Sequence, residues 1–312
     1  MLELKKRGVV QRMLRQWDLQ LLVVPGIIFV FIFMYIPMYG ILMAFQRYQL
    51  GEIPGFSQWV GMAYFRQLFE DPNFFRVLRN TVVMSLLRIG VGFPVPIIFA
   101  LMLNEIRVLS FKKTVQTISY LPHFISWVVA ATLMFDFFSF DNGAVNTILI
   151  SIGLIEKPIY FFGRHEYFWA MATGTDIWKS VGWNAIIFVA AITSIDSELY
   201  EAASIDGAGR VTKIWHITLA CIKPTIIILF IFTVGGLLTA NFDQVYMLTN
   251  QNTNRMLLET ADVIDTYVLR TGIRQSRFSF AAAAGLFRTV VNFGLVLGAN
   301  WLANKYGDYG LF

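Results

Sequence analysis

The chain has 312 residues, of which 56% are hydrophobic and 14% charged, and its formal net charge is +5. Soluble domains carry about 25% charged residues, so the composition excludes an ordinary soluble enzyme and does not suggest a nucleic-acid partner. Because Cys221 is the only cysteine, an internal disulfide and a cysteine-based metal site are excluded as well. The three histidines show no ligand spacing, and no metal site is predicted. We therefore expect the chain to lie in a membrane.

Six apolar stretches are long enough to cross a bilayer core of about 30 Å, which takes roughly 20 helical residues. We place them at Leu21–Phe45, Thr81–Leu103, Ile118–Phe138, Phe168–Ile192, Pro224–Ala240 and Ala281–Ala303. Their apolar runs are nearly continuous, whereas the strands of a membrane barrel alternate between apolar and polar residues. The sequence therefore predicts an all-α polytopic membrane protein with six transmembrane helices.

The basic residues of the N-terminal tail set the expected orientation. Residues 1–20 carry five of them before the first apolar stretch: Lys5, Lys6, Arg7, Arg12 and Arg15. Since Lys and Arg are enriched on the cytoplasmic side of membranes, this tail is placed in the cytoplasm. Six spans, within a membrane domain covering residues 21–304, then return the tail 305–312 to the same side.

The connection between the fourth and fifth spans, residues 194–220, is a long polar segment with two amphipathic parts. Asp196 and Ser197 are good helix N-caps, and Gly207 and Gly209 interrupt the helix that they begin. One interpretation is an interfacial helix that rests on lipid headgroups, which suits its Trp and Lys residues. The other is a docking site for a protein in the aqueous phase, which would explain both the helix and the fixed bend after it.

Glu201-Ala202-Ala203, followed by Asp206-Gly207-Ala208 and then by Ile217 and Leu219, resembles the EAA motif of ABC-importer permeases. The spacing matches, with the departure that Ala220 stands where the family usually has proline. The resemblance implies the type I ABC-importer permease fold, with this segment as a cytoplasmic coupling helix. It also implies that an ATPase subunit contacts Glu201, Ala202, Ala203, Asp206, Gly207 and Ala208. Glu201 would face a basic residue there, and Gly207 would let the chain turn away.

Four further stretches resemble carbohydrate-uptake permeases of the same family, and the last two of them resemble its LplB-like subgroup. They are Leu101 to Pro122, Asn241 to Thr249, Asp262 to Val268 and Phe280 to Arg288. The usual Gly-Gly-Pro after Thr249 is replaced here by Asn250-Gln251-Asn252. The similarity covers nearly the whole chain from residue 20 onward. It implies transport of complex oligosaccharides, including uronate-containing ones.

The resemblance also implies the other parts of the transporter. The chain has no GxxxxGK[ST] phosphate loop, so nucleotide binding by that route is excluded and no cofactor or catalytic residue is expected in it. ATP and Mg would bind to two partner ATP-binding cassette ATPases. A second permease chain, homologous but different, and an extracellular solute-binding protein would complete the importer in a bacterial plasma membrane. Closure of the ATPases would rock the spans between inward-open and outward-open states.

Ionisable side chains within membrane spans are costly and usually face a partner or a cavity. Eight charged, amide or aromatic residues are therefore candidates for a translocation path: Arg88, Asp136, Asp176, Lys179, Trp183, Asn184, Asp243 and Arg288. Asp176 and Lys179 share a helix face, which predicts an ion pair between them. Aromatic rings that stack on sugars, beside amide and charged groups, suit a path for oligosaccharides.

Alternatives remain open for these residues and for the function. Arg88 or Arg288 could pair structurally with Asp136 or Asp176. Because Arg88 and Arg288 have no acidic partner close in sequence, an acidic solute is favoured. The alternative function is a stand-alone secondary transporter or channel for a small polar solute, but it leaves the EAA segment unexplained and no inverted repeat is evident. An intramembrane enzyme is not supported, since the spans contain no GxSxG or HExxH motif.

Overall fold

The computed structural model describes residues 16–307, and helices account for most of them. The α-helices are Trp17–Val30, Ile36–Met38, Ala63–Glu70, Pro72–Leu87, Pro94–Glu105, Leu109–Tyr120, Trp127–Phe137, Ala144–Ser151, Phe168–Thr193, Ser197–Ile205, Arg210–Lys213, Leu219–Gly235, Phe242–Leu248, Leu258–Ala261, Ile264–Leu269 and Phe278–Gly307. Wider π turns cover Phe31–Tyr35, Arg88–Gly92, Ile214–Thr218 and Arg270–Arg274. Turns of 3-10 helix cover Tyr39–Phe45, Leu121–Phe124, Phe161–Gly163 and His165–Tyr167. The strands Gln46–Arg47 and Gln58–Trp59 pair in antiparallel fashion. The basic residues of the N-terminal tail, up to residue 15, and residues 308–312 lie outside the described residues.

Several of these helices join end to end and form candidate membrane spans. Four continuous spans are long and apolar enough to cross a bilayer: Leu19–Phe45, Pro72–Glu105, Arg210–Gly235 and Phe278–Lys305. Two helix pairs qualify only together, Leu109–Phe124 with Trp127–Phe137 and His165–Thr193 with Ser197–Ile205, and they bend by 105° and 67°. Counting each pair once gives up to six spans between residues 16 and 307, in agreement with the predicted all-α polytopic fold.

The third span is not the single helix predicted for Ile118–Phe138. The chain bends by 105° at Ile125 and Ser126, whose backbone is extended. The Ser126 hydroxyl caps the helix that follows by accepting a hydrogen bond from the Val129 amide at 3.3 Å. Such a cap begins a new helix, and Pro122 just before it lacks an amide donor. Local capping therefore interrupts a stretch whose apolar pattern is continuous.

The second span begins earlier than predicted, at Pro72 rather than at Thr81. The Asp71 carboxylate caps its first turn by accepting a hydrogen bond from the Asn73 amide at 2.9 Å. Proline suits the first helical position, because the amide it lacks would have no partner there. The polar residues between Pro72 and Thr81 thus extend the helix at its N-terminal end.

The fifth span runs from Arg210 to Gly235, so the predicted limits Pro224 and Ala240 are wrong. It starts within the polar connection, and its other end stops where residues 236–241 leave the helical conformation. We call residues 236–241 the unwound segment. A Cβ on Gly235 would lie 2.2 Å from Cγ2 of Val296, so glycine lets the fifth and last spans touch here.

Buried apolar side chains form three clusters that hold the spans together. One joins the second, fourth and fifth spans and contains Ala100, Ala185, Phe188, Ile192 and Ile222. The other two include Phe161, Phe162 and Phe168 in one case and Phe74, Tyr267 and Phe280 in the other. The apolar window of the first span is not buried by the described residues, although its final turn packs against the last span. The second, fourth and fifth spans thus share one buried cluster, and the second and last spans share another.

Candidate functional site

The helix Ser197–Ile205 and the turn after it form the exposed part of the connection between the fourth and fifth spans. Asp196 caps the first turn of the helix with its carboxylate. The helix is followed by Gly207, whose φ of +78° is a left-handed conformation that glycine adopts without strain. The Ala208 amide then donates to the Ala203 carbonyl at 2.8 Å and closes the turn.

The structure brings all six predicted coupling residues together on this helix and turn. Glu201, Ala202, Asp206 and Gly207 are exposed, and Ala203 and Ala208 are half-buried. Small side chains beside an exposed carboxylate leave room for the close approach of another protein. The contact of these residues with an ATPase stays a prediction.

We call the helix Ser197–Ile205 the coupling helix, after its predicted role. Two hydrogen bonds tie it to the start of the fifth span. The hydroxyls of Tyr200 and Thr218 lie 2.9 Å apart, and the Lys213 ammonium donates to the Ser204 hydroxyl at 2.6 Å. The helix Ser197–Ile205 is therefore hydrogen-bonded to the first turns of the fifth span. The sequence did not predict these pairs, because their members are 18 and 9 positions apart and meet only after the chain has turned back.

The second, fourth and fifth spans enclose two adjoining cavities that share Arg88 and Gly92, and together we call them the central cleft. The larger cavity has a volume of about 440 Å³. The polar lining of the cleft consists of Arg88, Thr173, Asp176, Asn184, Thr233, Thr239, Asn241 and Gln244. A mostly apolar cavity with a few charged, amide and hydroxyl groups is typical of a site for a polar ligand.

Arg88 reaches the middle of the cleft where its helix widens. It begins the π turn Arg88–Gly92, in which the Phe93 amide donates to the Arg88 carbonyl at 2.7 Å. Such turns within α-helices are rare and occur frequently at functional sites. The half-buried guanidinium of Arg88 donates to the backbone carbonyl of Thr239. Arg88 therefore connects the second span with the unwound segment of the fifth.

Asp176 faces the same cavity from the fourth span, beside the side chain of Asn241. A carboxylate and a guanidinium thus share one cavity, although none of the described ion pairs joins Asp176 to Arg88. The Gln244 side chain also lines the cavity and donates to the Ala172 carbonyl at 2.6 Å. The sequence did not predict Asn241 and Gln244 as path residues, because they follow the predicted end of the fifth span.

Lys179 does not line the central cleft, and its predicted ion pair with Asp176 is wrong. Its side chain is only 6% exposed. Its ammonium donates to the carbonyls of His123 at 2.7 Å and Pro122 at 3.3 Å. Lys179 therefore binds the turn at which the third span bends.

Trp183 and Asn184 are adjacent in sequence but have different surroundings. The Trp183 indole stacks on the His123 imidazole, with ring centroids 4.3 Å apart and planes inclined by 1°. Phe124 meets the indole edge-on at 5.7 Å. Asn184 instead lines the larger cavity of the central cleft. The indole therefore packs against the bend of the third span, and the amide borders the cleft.

The three other predicted path residues do not line the cleft. Arg288 forms an ion pair with Asp265, so the suggested pairing with Asp136 or Asp176 is wrong. Asp136 and Asp243 are exposed, near the end of one helix and in the first turn of another. A role of these three residues in transport stays a prediction. Within residues 16–307, no group of three or more His, Cys, Asp or Glu side chains is placed to hold a metal ion.

Comparison with known proteins gives one consistent result. Residues 73–307 match the family described as binding-protein-dependent transport system inner membrane component. The chain is 43% identical over 310 residues to the polygalacturonan/rhamnogalacturonan transport system permease protein YteP of Bacillus subtilis (strain 168), covering 99% of this chain and 94% of that protein. It is 44% identical over 296 residues to Protein LplB of the same organism, covering 94% of this chain and 91% of that protein.

A solved structure has the same fold. It is the crystal structure of a bacterial alginate ABC transporter in complex with an alginate pentasaccharide-bound periplasmic protein, and one of its chains matches with a TM-score of 0.88 at 39% identity. The match covers 98% of this chain and 100% of that chain. The predicted permease fold and the predicted resemblance are thereby confirmed. The chain belongs to the family of binding-protein-dependent transport system inner membrane components, as a membrane-spanning permease.

Proposed function

We propose that this chain is the permease subunit of an ABC importer for acidic oligosaccharides. The observation that carries the proposal is the central cleft, in which the Arg88 guanidinium lies among amide and hydroxyl groups and shares a cavity with the Asp176 carboxylate. A uronate carboxylate can accept two parallel hydrogen bonds from a guanidinium. The side chains of Asn184 and Asn241 can bind sugar hydroxyls, and the apolar walls can contact the sugar rings.

The relatives support an acidic cargo. The name of YteP refers to polygalacturonan and rhamnogalacturonan, and a related structure is of an ABC transporter involved in the import of the acidic polysaccharide alginate. The chemical group common to such polymers is the carboxylate of a uronic acid. These relatives are parts of transport systems, and they do not favour a stand-alone transporter or channel.

The other subunits of the importer follow from the same proposal. Two ATP-binding cassette ATPases bind the exposed coupling residues, Glu201 to Ala208, and hold the ATP and Mg. A second permease, homologous but different, pairs with this chain in the membrane, and an extracellular solute-binding protein delivers the sugar. The periplasmic protein in the related alginate complex supports this last partner.

The proposed topology places the coupling segment on the cytoplasmic side of a bacterial inner membrane. Residues 21–304 form the membrane domain, with residues 194–220 as its coupling loop, and the tails 1–20 and 305–312 lie in the cytoplasm. The five basic residues among the first 15 support this orientation.

The route of coupling passes through the fifth span. ATPase closure moves the coupling helix, and the Tyr200–Thr218 and Lys213–Ser204 contacts transmit the movement to the helix Arg210–Gly235. This helix ends at the unwound segment, which borders the cleft and accepts the Arg88 hydrogen bond. ATP hydrolysis on partner chains would thus change the lining of the cleft.

Replacement of Arg88 tests the acidic cargo. The probes are a galacturonate trisaccharide and its fully methyl-esterified form, which has the same sugar rings without the charges. We expect Arg88→Gln to reduce uptake of the acid about tenfold more than uptake of the ester, because only the acid loses a charge-assisted hydrogen bond, whereas loss of the contact with the Thr239 carbonyl affects both. Arg88→Lys keeps the charge without the planar fork and should lie between wild type and Arg88→Gln.

Arg255→Gln is the matched control, since Arg255 is exposed in an outer loop. Uptake is measured in cells with radiolabelled probes and corrected for the amount of chain in the membrane. An equal loss of acid and ester uptake in Arg88→Gln would contradict the proposed carboxylate contact.

A further inference from the structure

The unwound segment follows the end of the fifth span at Gly235 and lies beside the central cleft. Backbone polar groups within a membrane need hydrogen-bond partners, and non-helical backbone is tolerated there only inside protein or along a cavity. Within the segment, the Thr239 amide donates to the Gly236 carbonyl at 2.9 Å. The Leu238 amide and the Thr239 carbonyl instead bind side chains of two other spans. The conformation of the segment therefore depends on tertiary contacts.

Asn292, on the last span, binds the segment through both atoms of its side-chain amide. Its Oδ1 accepts from the Leu238 amide at 2.9 Å, and its Nδ2 donates to the Thr239 hydroxyl at 2.8 Å. Arg88, on the second span, donates to the Thr239 carbonyl. Leu238 is only 3% exposed, whereas Thr239 is exposed and lines the cleft. Two side chains from different spans thus fix the backbone that borders the cleft.

The fifth span connects the Asn292 and Arg88 contacts at one of its ends with the coupling segment, residues 194–220, at the other. It is continuous from Arg210 to Gly235, and at Gly235 it lies so close to the last span that a Cβ would come within 2.2 Å of Val296 Cγ2. Asn292 has a short side chain and lies on the long helix Phe278–Gly307. Its amide group therefore cannot stay bound to the unwound segment when the fifth span slides along this helix. A movement of the fifth span against the last span therefore has to break its hydrogen bonds.

We propose that Asn292 is a positioning residue of transport, which holds the unwound segment in the conformation described here until the fifth span moves. The inference rests on the proposed function, because the movement is the one that ATPases impose through the coupling segment. Loss of the Asn292 contacts makes this conformation less stable. The population then shifts toward the conformation in which the fifth span has moved against the last span. ATP hydrolysis then depends less on the solute-binding protein.

Hydrogen–deuterium exchange of the purified full chain tests the contact itself. In Asn292→Leu, which has a similar volume, we expect the amides of the unwound segment to exchange about tenfold faster, because the Leu238 amide loses its acceptor. Asn292→Asp can accept from both the Leu238 amide and the Thr239 hydroxyl, and its exchange should stay within about twofold of wild type. Phe293→Leu, at the exposed neighbouring position, is the control. Unchanged exchange in Asn292→Leu overturns the inference, whatever the partners of the chain.

ATP hydrolysis by the complete importer tests the role in coupling. Without solute-binding protein and sugar, we expect the complex with Asn292→Leu to hydrolyse ATP about fivefold faster than wild type, and the complex with Asn292→Asp to match wild type. The rate is expressed per assembled complex, because a residue that only supports folding would change the amount of complex and not this rate. A rate equal to that of wild type in Asn292→Leu overturns the coupling role.

A second variant covers the case in which Asn292→Leu does not assemble. Thr239→Val removes one of the two Asn292 hydrogen bonds, and we expect a rise in ATP hydrolysis of about twofold. No rise overturns the coupling role. If the wild-type chain associates with no ATPase, the proposed function fails, and the exchange experiment on the isolated chain still decides whether Asn292 holds the segment.

Discussion

Lys179 is a buried cation whose ammonium ends on backbone carbonyls of the third span. The carbonyls at the end of a helical turn carry partial negative charge, which a cation stabilises. The Trp127 ring, just beyond the bend, lies 5.4 Å from the ammonium. Lys179 thus contacts both halves of the third span at its 105° bend. Its burial is explained by these contacts.

We expect Lys179→Met to lower the free energy of unfolding by about 2 kcal/mol, because two carbonyls lose a charged donor. Thermal unfolding of the purified chain in detergent, followed by circular dichroism, measures the effect as a lower melting temperature. Lys157→Met, at an exposed position of the loop between the third and fourth spans, serves as the control and should melt like wild type. Equal melting temperatures of the two variants would show that the carbonyl contacts are not important.

The coupling helix and the fifth span are two elements joined at two points. Gly207 lets the chain turn back, and the contacts of Tyr200 and Lys213 then hold the helix against the start of the span. The second part of the segment differs, since the Trp215 side chain is 66% exposed there. An exposed indole next to basic residues suits lipid headgroups. The interfacial interpretation therefore suits the second part of the segment and the docking interpretation suits the first part, and both stay predictions.

We expect Tyr200→Phe to reduce the amount of solute moved per ATP about threefold, because the hydroxyl contact with Thr218 is worth about 1 kcal/mol. Binding of the ATPases should not change, since Tyr200 is half-buried and the exposed coupling residues are intact. Reconstituted vesicles, in which uptake and ATP hydrolysis are measured together, give the ratio. Tyr160→Phe, in the loop between the third and fourth spans, is the matched control. A ratio equal to that of the control would exclude transmission through this hydroxyl.

At the scale of the molecule, the chain places its predicted coupling surface and its cleft at opposite ends of the fifth span. The cleft is enclosed by the second, fourth and fifth spans, and the last span contacts the fifth at Gly235. The apolar window of the first span is not covered by the described part of the chain. Such a surface is covered by lipid or by another subunit of the importer. This arrangement suits a chain that works as one part of a larger membrane complex.

We expect Glu201→Arg to abolish uptake and to loosen the ATPases, because the reversed charge would face a basic residue of the partner. Insertion into the membrane should be normal, since Glu201 is exposed. Co-purification of the ATPases with the tagged chain, together with cellular uptake, measures both effects. Glu198→Arg, on the first turn of the same helix, is the control and should retain the ATPases. Unchanged association and uptake in Glu201→Arg would refute the coupling role.

The sequence by itself determined the fold class and the family, and it predicts which residues couple the chain to an ATPase. An apolar run of about 20 residues crosses a bilayer as an α-helix. The EAA motif is a local sequence pattern, so it can be recognised without the tertiary structure. Intramembrane charges usually face a partner or a cavity, and two of the predicted ones, Arg88 and Asp176, line the central cleft together with the amide of Asn184.

Only the tertiary structure decided which partners the charged side chains bind. Lys179 binds carbonyls of another span and Arg288 pairs with Asp265, because a partner in space need not be close in sequence. The sequence also did not predict the break in the third span or the unwound segment. Both lie in or beside apolar runs that are typical of continuous membrane helices. Their backbone is stabilised by a side-chain cap in one case and by Asn292 and Arg88 in the other. Such long-range hydrogen bonds exist only once the spans have packed, so the folded chain alone defines the cleft.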